Sequence, residues 1–225
     1  MEQIIPGLFT FTGLMAVRAY VIEDGDGLTL IDTSITSAGP KILQQLAAAG
    51  HQAAAVKRIL ITHAHPDHVG SLPFLQEKTG AQVMASALEA EVIEGKAAVP
   101  RRATNPRPPL IQYPGSPVDH ILSGGDLLEE VMGGVQVIFT PGHAPGHLSF
   151  WQPEKKVLFC GDVIFRIPTN MRLPFAMLTV DMAENIRSIG RLTNLNPDII
   201  CFGHGKPLRQ NTAIALRGFG QKVGA

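Results

Sequence analysis

Four side chains of metal-binding type, His63, His65, Asp67 and His68, crowd into the six residues of HAHPDH. In an extended turn alternate residues point the same way, so His63 and His65 can converge on one ion while Asp67 and His68 turn toward a neighbouring position. A single imidazole would carry no such meaning, and His51 and His120 read as ordinary surface or packing residues. Three further motifs supply more ligand types: His143 in TPGH, Asp162 in GD and His204 in GHG. Each follows an apolar run and sits beside Gly or Pro, where a rigid strand end meets solvent. The donors are imidazole nitrogen and carboxylate oxygen with no thiolate, which suits Zn²⁺ and also permits Fe²⁺ or Mn²⁺.

The elements that must position these residues follow from the apolar periodicity. Strands are expected at Ile4 to Phe11, at Arg18 to Ile22 and at Leu28 to Asp32, the last two joined around EDGDG. A helix from Ser37 to Ala49 and the buried strand KRILIT lead into the first histidines. A helix from His68 to Lys78, the strand AQVMAS and the helix SALEAEVIEG come next, then a proline-rich loop from Pro100 to Pro117. A short strand pair around Gly124 and Gly125, the strands VQVIFT, HLSFWQ and KVLFCGD, a helix from Asp181 to Leu192, a strand from Asp198 to Phe202 and a helix from Thr212 to Gly220 complete the pattern. Strands in two batches, each followed by helices, point to two sheets packed face to face with helices outside. The expected organisation is one domain over residues 1–225 with loop insertions at about 100–118 and 163–180.

Composition narrows the partners. Nineteen basic and nineteen acidic residues leave no net charge, so nothing recruits polyanions and nucleic-acid binding is disfavoured. No stretch reaches the roughly 18 uninterrupted apolar residues of a membrane span, and MEQIIPGLFT lacks the pattern of a signal peptide. The two cysteines, Cys160 and Cys201, lie in apolar strands and read as inward-packing thiols rather than ligands. A cytoplasmic location is expected.

HAHPDH, PGHAPGH, GD and GHG, in this order, resemble the metallo-β-lactamase-fold hydrolases, and the resemblance runs from the first strands through His204. It implies an α/β fold, a four-layer αββα sandwich of two mixed sheets, with a dinuclear metal site along one edge. Carried over residue by residue, His63, His65 and His143 would hold the first ion, Asp67, His68 and His204 the second, and Asp162 would bridge them. Asp32 and His147 would support the ligands from outside. Two divalent ions sharing a water would lower its pKa toward neutrality and supply hydroxide, while Asp67 exchanges a proton as the intermediate collapses.

The implied activity is hydrolysis of a small ester, thioester or lactone. Many true β-lactamases of this family have Cys or Ser where Asp162 stands, glyoxalase II carries a substantial helical region after the position of His204, and the nuclease branch has a basic surface. A β-lactamase or phosphodiesterase activity on the same fold is the weaker alternative. So is a mononuclear iron persulfide dioxygenase using His63, His143 and Asp162. The segment after Asp162, VIFRIPTNMRLPFAML, offers Phe165, Arg166, Arg172, Phe175 and Met177 as a substrate lid, or equally as a homodimer interface. Tyr113, with Arg101, Arg102 and Arg107, is expected on the opposite wall.

Overall fold

Adjacent residues of the central strands go to different cores, as the two-residue period of a strand requires. Ile31 and Leu60 face a core shared with Phe150 and Phe159, whereas Leu30 and Ile59 face Ile42, Leu46 and Leu75. The computed structural model describes residues 1–15, 17–101, 111–113 and 115–225.

The first sheet holds seven strands in chain order: β1 (Glu2–Ile5), β2 (Leu8–Thr10), β3 (Tyr20–Asp24), β4 (Gly27–Ile31), β5 (Val56–Leu60), β6 (Gln82–Ser86) and β7 (His120–Leu122). It is antiparallel up to β4 and parallel from β4 to β7. The second sheet takes β8 (Leu127–Leu128), β9 (Val135–Phe139), β10 (Leu148–Gln152) and β11 (Val157–Gly161). A separate hairpin, β12 (Phe165–Arg166) with β13 (Met171–Arg172), follows, and β14 (Ile199–Phe202) then joins the second sheet parallel to β11. Both sheets are therefore mixed.

Helices α1 (Gly39–Ala48), α2 (Pro66–Val69), α3 (Leu72–Thr79) and α4 (Ala87–Ile93) belong to the first half, and Ile42, Leu46, Leu72, Leu75 and Val92 from three of them pack on the outer face of the first sheet. Helices α5 (Met182–Thr193) and α6 (Thr212–Val223) cover the second sheet through Ile189, Leu192, Leu216 and Phe219. This is the αββα sandwich, with an inter-sheet core and one helix-facing core on each side. Among the described residues no helix is long and apolar enough to cross a membrane.

Four expectations need correction. The first strand is broken in two, because Pro6-Gly7 turns the chain with Gly7 at a φ of 78°. The helix expected from His68 to Lys78 is two helices, since the chain leaves helical geometry at Ser71 (ψ of 3°) and Pro73, which has no N–H to continue the first helix, sits in the first turn of the second. The strands flanking Gly124 and Gly125 do not pair; β7 closes one sheet and β8 opens the other, so this glycine turn is the crossover between sheets. Both cysteines are buried, but only Cys201 faces the inter-sheet core, while Cys160 packs toward the helices. Of the proline-rich loop, residues 102–110 and 114 lie outside the described residues, Arg102 and Arg107 among them.

Candidate metal centre

The ends of β5, β9, β11 and β14 lie at one edge of the sandwich, and each delivers its motif there. After β5, Thr62 and His63 continue the buried run, and Pro66 starts α2 so that Asp67 and His68 occupy its first turn. His143 follows β9, Asp162 follows β11 and His204 follows β14. The close approach of the last two motifs depends on a small residue, because a Cβ on Gly203 would overlap Asp162 Oδ1.

The seven residues form overlapping groups. His63, His65 and His143 place one ring nitrogen each within 4.8 Å of one another, as do the donor atoms of Asp67, His68 and His204. Asp162 stands between them. Its Oδ2 lies 3.4 Å from His143 Nε2 and 3.2 Å from His204 Nε2, and its Oδ1 lies 3.3 Å from His68 Nε2. His204 Nε2 is also 3.4 Å from Asp67 Oδ2. Such a donor set fits a divalent cation, and the structure carries its own sign of this: His63 Nε2, His68 Nε2 and Asp162 Oδ1 are buried with no hydrogen-bond partner.

Titration follows the same arrangement. Burial, aided by the neighbouring imidazoles, holds His63 well below the usual histidine range. Burial likewise depresses His143, and brings His65 to about 4. These rings are neutral at pH 7 and keep a lone pair for coordination. Burial alone would raise Asp162, yet His68 and His204 hold its carboxyl well below the usual range. Burial opposes charge on His204 too, but Asp162 and Asp67 push it up to about 9. The centre thus keeps its carboxylates ionised and draws positive charge to itself.

Neighbouring side chains fix the tautomers. Asp32 accepts from His68 Nδ1 at 2.8 Å and from the Thr62 amide and hydroxyl at 2.9 and 2.8 Å, so it orients both a ligand-type ring and its loop. His147 lies outside both groups: its Nε2 accepts the Asp162 amide at 3.1 Å, and its Nδ1 therefore donates to Thr140 Oγ1 at 2.9 Å. Thr179 donates its hydroxyl to the Phe175 carbonyl, which leaves the same oxygen to accept from His143 Nδ1 at 3.2 Å. His143 Nε2 is thereby the unprotonated nitrogen, and it faces His65 Nδ1 at 3.0 Å.

Of the residues expected around a substrate, Phe165 reaches the centre, with its ring centroid 4.3 Å from that of His204 and 5.7 Å from that of Phe175. Phe175 and Met177 are exposed at the 3₁₀ segment that follows the hairpin. Arg166 donates to the carbonyls of Lys206 and Pro207, holding the loop after His204, whereas Arg172 Nε bonds across its own hairpin to Ile167. The Tyr113 hydroxyl donates to the Ala64 carbonyl at 3.0 Å, so it braces the loop between His63 and His65.

Sequence reasoning passed over Glu89. Its buried carboxylate accepts the Ala64 amide and the Gly146 amide, both at 2.7 Å, and ties the HAHPDH loop to PGHAPGH. The available signal was Ser86-x-x-Glu89, a helix-start pattern in which Ser86 caps the Glu89 amide.

Residues 12–204 match a model of the Metallo-beta-lactamase superfamily. The chain belongs to this superfamily. Among its relatives, YobT of Bacillus subtilis is 32% identical over 221 residues, 92% of this chain and 91% of that one. The protein named "Probable metallo-hydrolase YybB" from the same organism is 27% identical over 200 residues, 88% of this chain and 84% of its own. A hydroxyacylglutathione hydrolase of Cereibacter sphaeroides is 31% identical over 189 residues, 83% of this chain but only 61% of that protein. The fold is also that of a metallo-beta-lactamase family protein of Thermus thermophilus, with a TM-score of 0.76 at 24% identity over 98% of this chain and 80% of that one. As a member of the superfamily with its His and Asp cluster assembled, this chain is a metal-dependent hydrolase.

Proposed function

We propose that the chain hydrolyses a small ester, thioester or lactone at a dinuclear centre. His63, His65 and His143 would hold one ion, Asp67, His68 and His204 the other, with Asp162 placed between the two groups. The observation that carries this reading is Asp162 itself, whose two oxygens face His143 and His204 on one side and His68 on the other within 3.4 Å. A mononuclear centre using His63, His143 and Asp162 leaves the convergence of Asp67, His68 and His204 without a purpose. Zn²⁺ is the ion that this nitrogen and oxygen donor set suits best, with Fe²⁺ or Mn²⁺ compatible.

When bound, the ions supply a nucleophile at neutral pH and polarise the scissile carbonyl. The chain's residues do the rest. Asp67, half-exposed beside His204, is placed to take a proton from the attacking group and return it to the departing alcohol or thiol. The Phe165 ring, packed on His204, gives an apolar wall that excludes water from one side. Similarity to hydroxyacylglutathione hydrolases supports an acyl substrate. The two buried free thiols suit a reducing cytoplasm.

The test removes metal with a chelator, restores it, counts ions per chain and assays lactones, thioesters, phosphodiesters and β-lactams at known occupancy. Two ions per chain and metal-restored turnover of an acyl substrate are expected. One iron per chain with oxygen consumption, or full hydrolysis by metal-free protein, refutes the reading.

A further inference from the structure

A cleft of about 520 Å³ opens beside the loop that carries His204. Its walls are the segment around Phe11 to Leu14 with Arg18, the start of the β12–β13 hairpin at Arg166, and Gly205 with Lys206. It is tied to the candidate centre through the backbone, because the Arg18 amide donates to the Gly203 carbonyl at 2.9 Å and the Arg166 amide to the His204 carbonyl at 2.8 Å. A Cβ on Gly205 would strike the Arg166 carbonyl oxygen, so this close seating of the hairpin on the loop requires glycine.

The lining is cationic. Arg18, Arg166 and Lys206 face the cleft, and among the described residues its only acidic lining residue, Glu2, lies 3.5 Å from Arg209. Among the described residues none of the three cations forms an ion pair. Arg18 has a single long side-chain contact, 3.5 Å to Thr10 Oγ1, and the bonds from Arg166 go to neutral carbonyls. Arg166 Nε is buried with no partner at all. An unpartnered buried donor and three uncompensated charges, in a chain of zero net charge, leave a local surplus that an anion would satisfy.

We propose that this cleft binds an anionic group, carboxylate or phosphate, carried by the substrate a few bonds from the scissile carbonyl. The substrate class is then a small acidic ester, thioester or lactone. This assignment of class rests on the hydrolase reading above, whereas anion binding in the cleft does not.

The experiment uses metal-loaded protein and the double variant Arg18→Gln/Lys206→Gln, with Lys206→Glu as an independent charge reversal at an exposed position. Because the metal ions take either anion in wild type and variants alike, equilibrium dialysis with glutarate and with inorganic phosphate reads the cleft as the difference between wild type and variants, and the anion with the larger difference identifies the headgroup. Weakening of about tenfold or more in both variants, at unchanged metal content, is expected. Equal binding by wild type and variants, or none by wild type, overturns the proposal. In parallel, a thioester with a terminal carboxylate is compared with its carboxamide analogue. Wild type should show a KM about tenfold lower for the carboxylate, and the double variant should lose that preference while turning over the carboxamide as before. A preference that survives in the variant also overturns the subsite. If neither thioester is hydrolysed but the dialysis difference stands, the acyl-hydrolase reading fails and the anion site remains.

Discussion

Asp32 Oδ2 lies 2.8 Å from His68 Nδ1, and the same carboxylate accepts both Thr62 donors, so one buried side chain holds a ring and the strand end that leads to it. Asp32 sits at a φ of 58°, a conformation that Asn also tolerates. In Asp32→Asn an amide hydrogen would face His68 Nδ1–H, which disfavours the tautomer that leaves Nε2 free. Affinity for the ion at Asp67, His68 and His204 should fall roughly 10- to 100-fold with the fold intact. Competition against a chromophoric chelator measures it, and wild-type affinity would refute the role assigned to Asp32.

Glu89 joins two ligand loops with one carboxylate, so its removal should be felt twice. Glu89→Ala strands the Ala64 and Gly146 amides, and urea unfolding should show a loss of about 2–4 kcal/mol. Glu89→Gln retains one acceptor oxygen and should fall between wild type and Ala. Equal stability of Ala and wild type would show that these amides find other partners.

Gly203 gives a more local disturbance. Its φ is not in the left-handed region, so alanine is tolerated by the backbone, but the added methyl would overlap Asp162 Oδ1 and meet His68 Cε1 at 2.9 Å. Gly203→Ala should fold and lose metal, seen as ions per chain well below wild type by elemental analysis.

Far from the centre, Arg58 reaches Asp26 from a buried position, and that hydrogen bond lowers the Asp26 carboxyl from its ordinary value. A depressed carboxyl pKa stabilises the fold above the unfolded pKa, and that stability disappears as pH falls through the folded value. Asp26→Asn should therefore lower Tm at pH 7 by a small amount, and the gap should close as the pH drops below the carboxylate range. A gap independent of pH would mean that charge is not its source.

Burial raises the thiols of both Cys160 and Cys201 well above their ordinary values. The thiolate is the reactive form, so neither should react with a thiol reagent in the native protein at about pH 8. Both should react on unfolding, and fast native labelling of either would contradict its burial.

The ligand-type residues were legible because metal chemistry restricts residue type and spacing, and because strand ends converge by the rules of sheet packing. His63, His65 and Asp162 announce themselves as types at a strand mouth. Glu89 did not, since an acid near a helix start reads as a solvated cap, and only the folded chain shows that its carboxylate points inward between two loops. Tyr113 shows the converse: a tyrosine beside prolines suggests a substrate wall, and only the folded chain shows that its hydroxyl also braces the Ala64 carbonyl. The single strand expected from Ile4 to Phe11 overlooked how sharply Pro6-Gly7 turns the chain, and the crossover at Gly124 and Gly125 depends on which sheet each neighbour joins, a non-local fact.

The apolar segment after Asp162 has two readings that one pair of measurements separates. Phe165 is buried against His204 and packs edge-on against Phe175, while Phe175 and Met177 remain 58% and 66% exposed. If the segment is a lid, an acyl chain would lie along Phe165 and Phe175, whose ring contact links the exposed side chains to the ring on the centre. Removing them should weaken long chains and spare short ones, because each methylene deprived of apolar contact costs about 0.8 kcal/mol. Phe175→Ala/Met177→Ala should raise KM for an octanoyl thioester about tenfold and leave the acetyl thioester unchanged. Sedimentation of the same variant provides the opposing arm. If chain-length preference is unchanged and a wild-type dimer becomes monomeric, the segment is an interface and the lid is refuted.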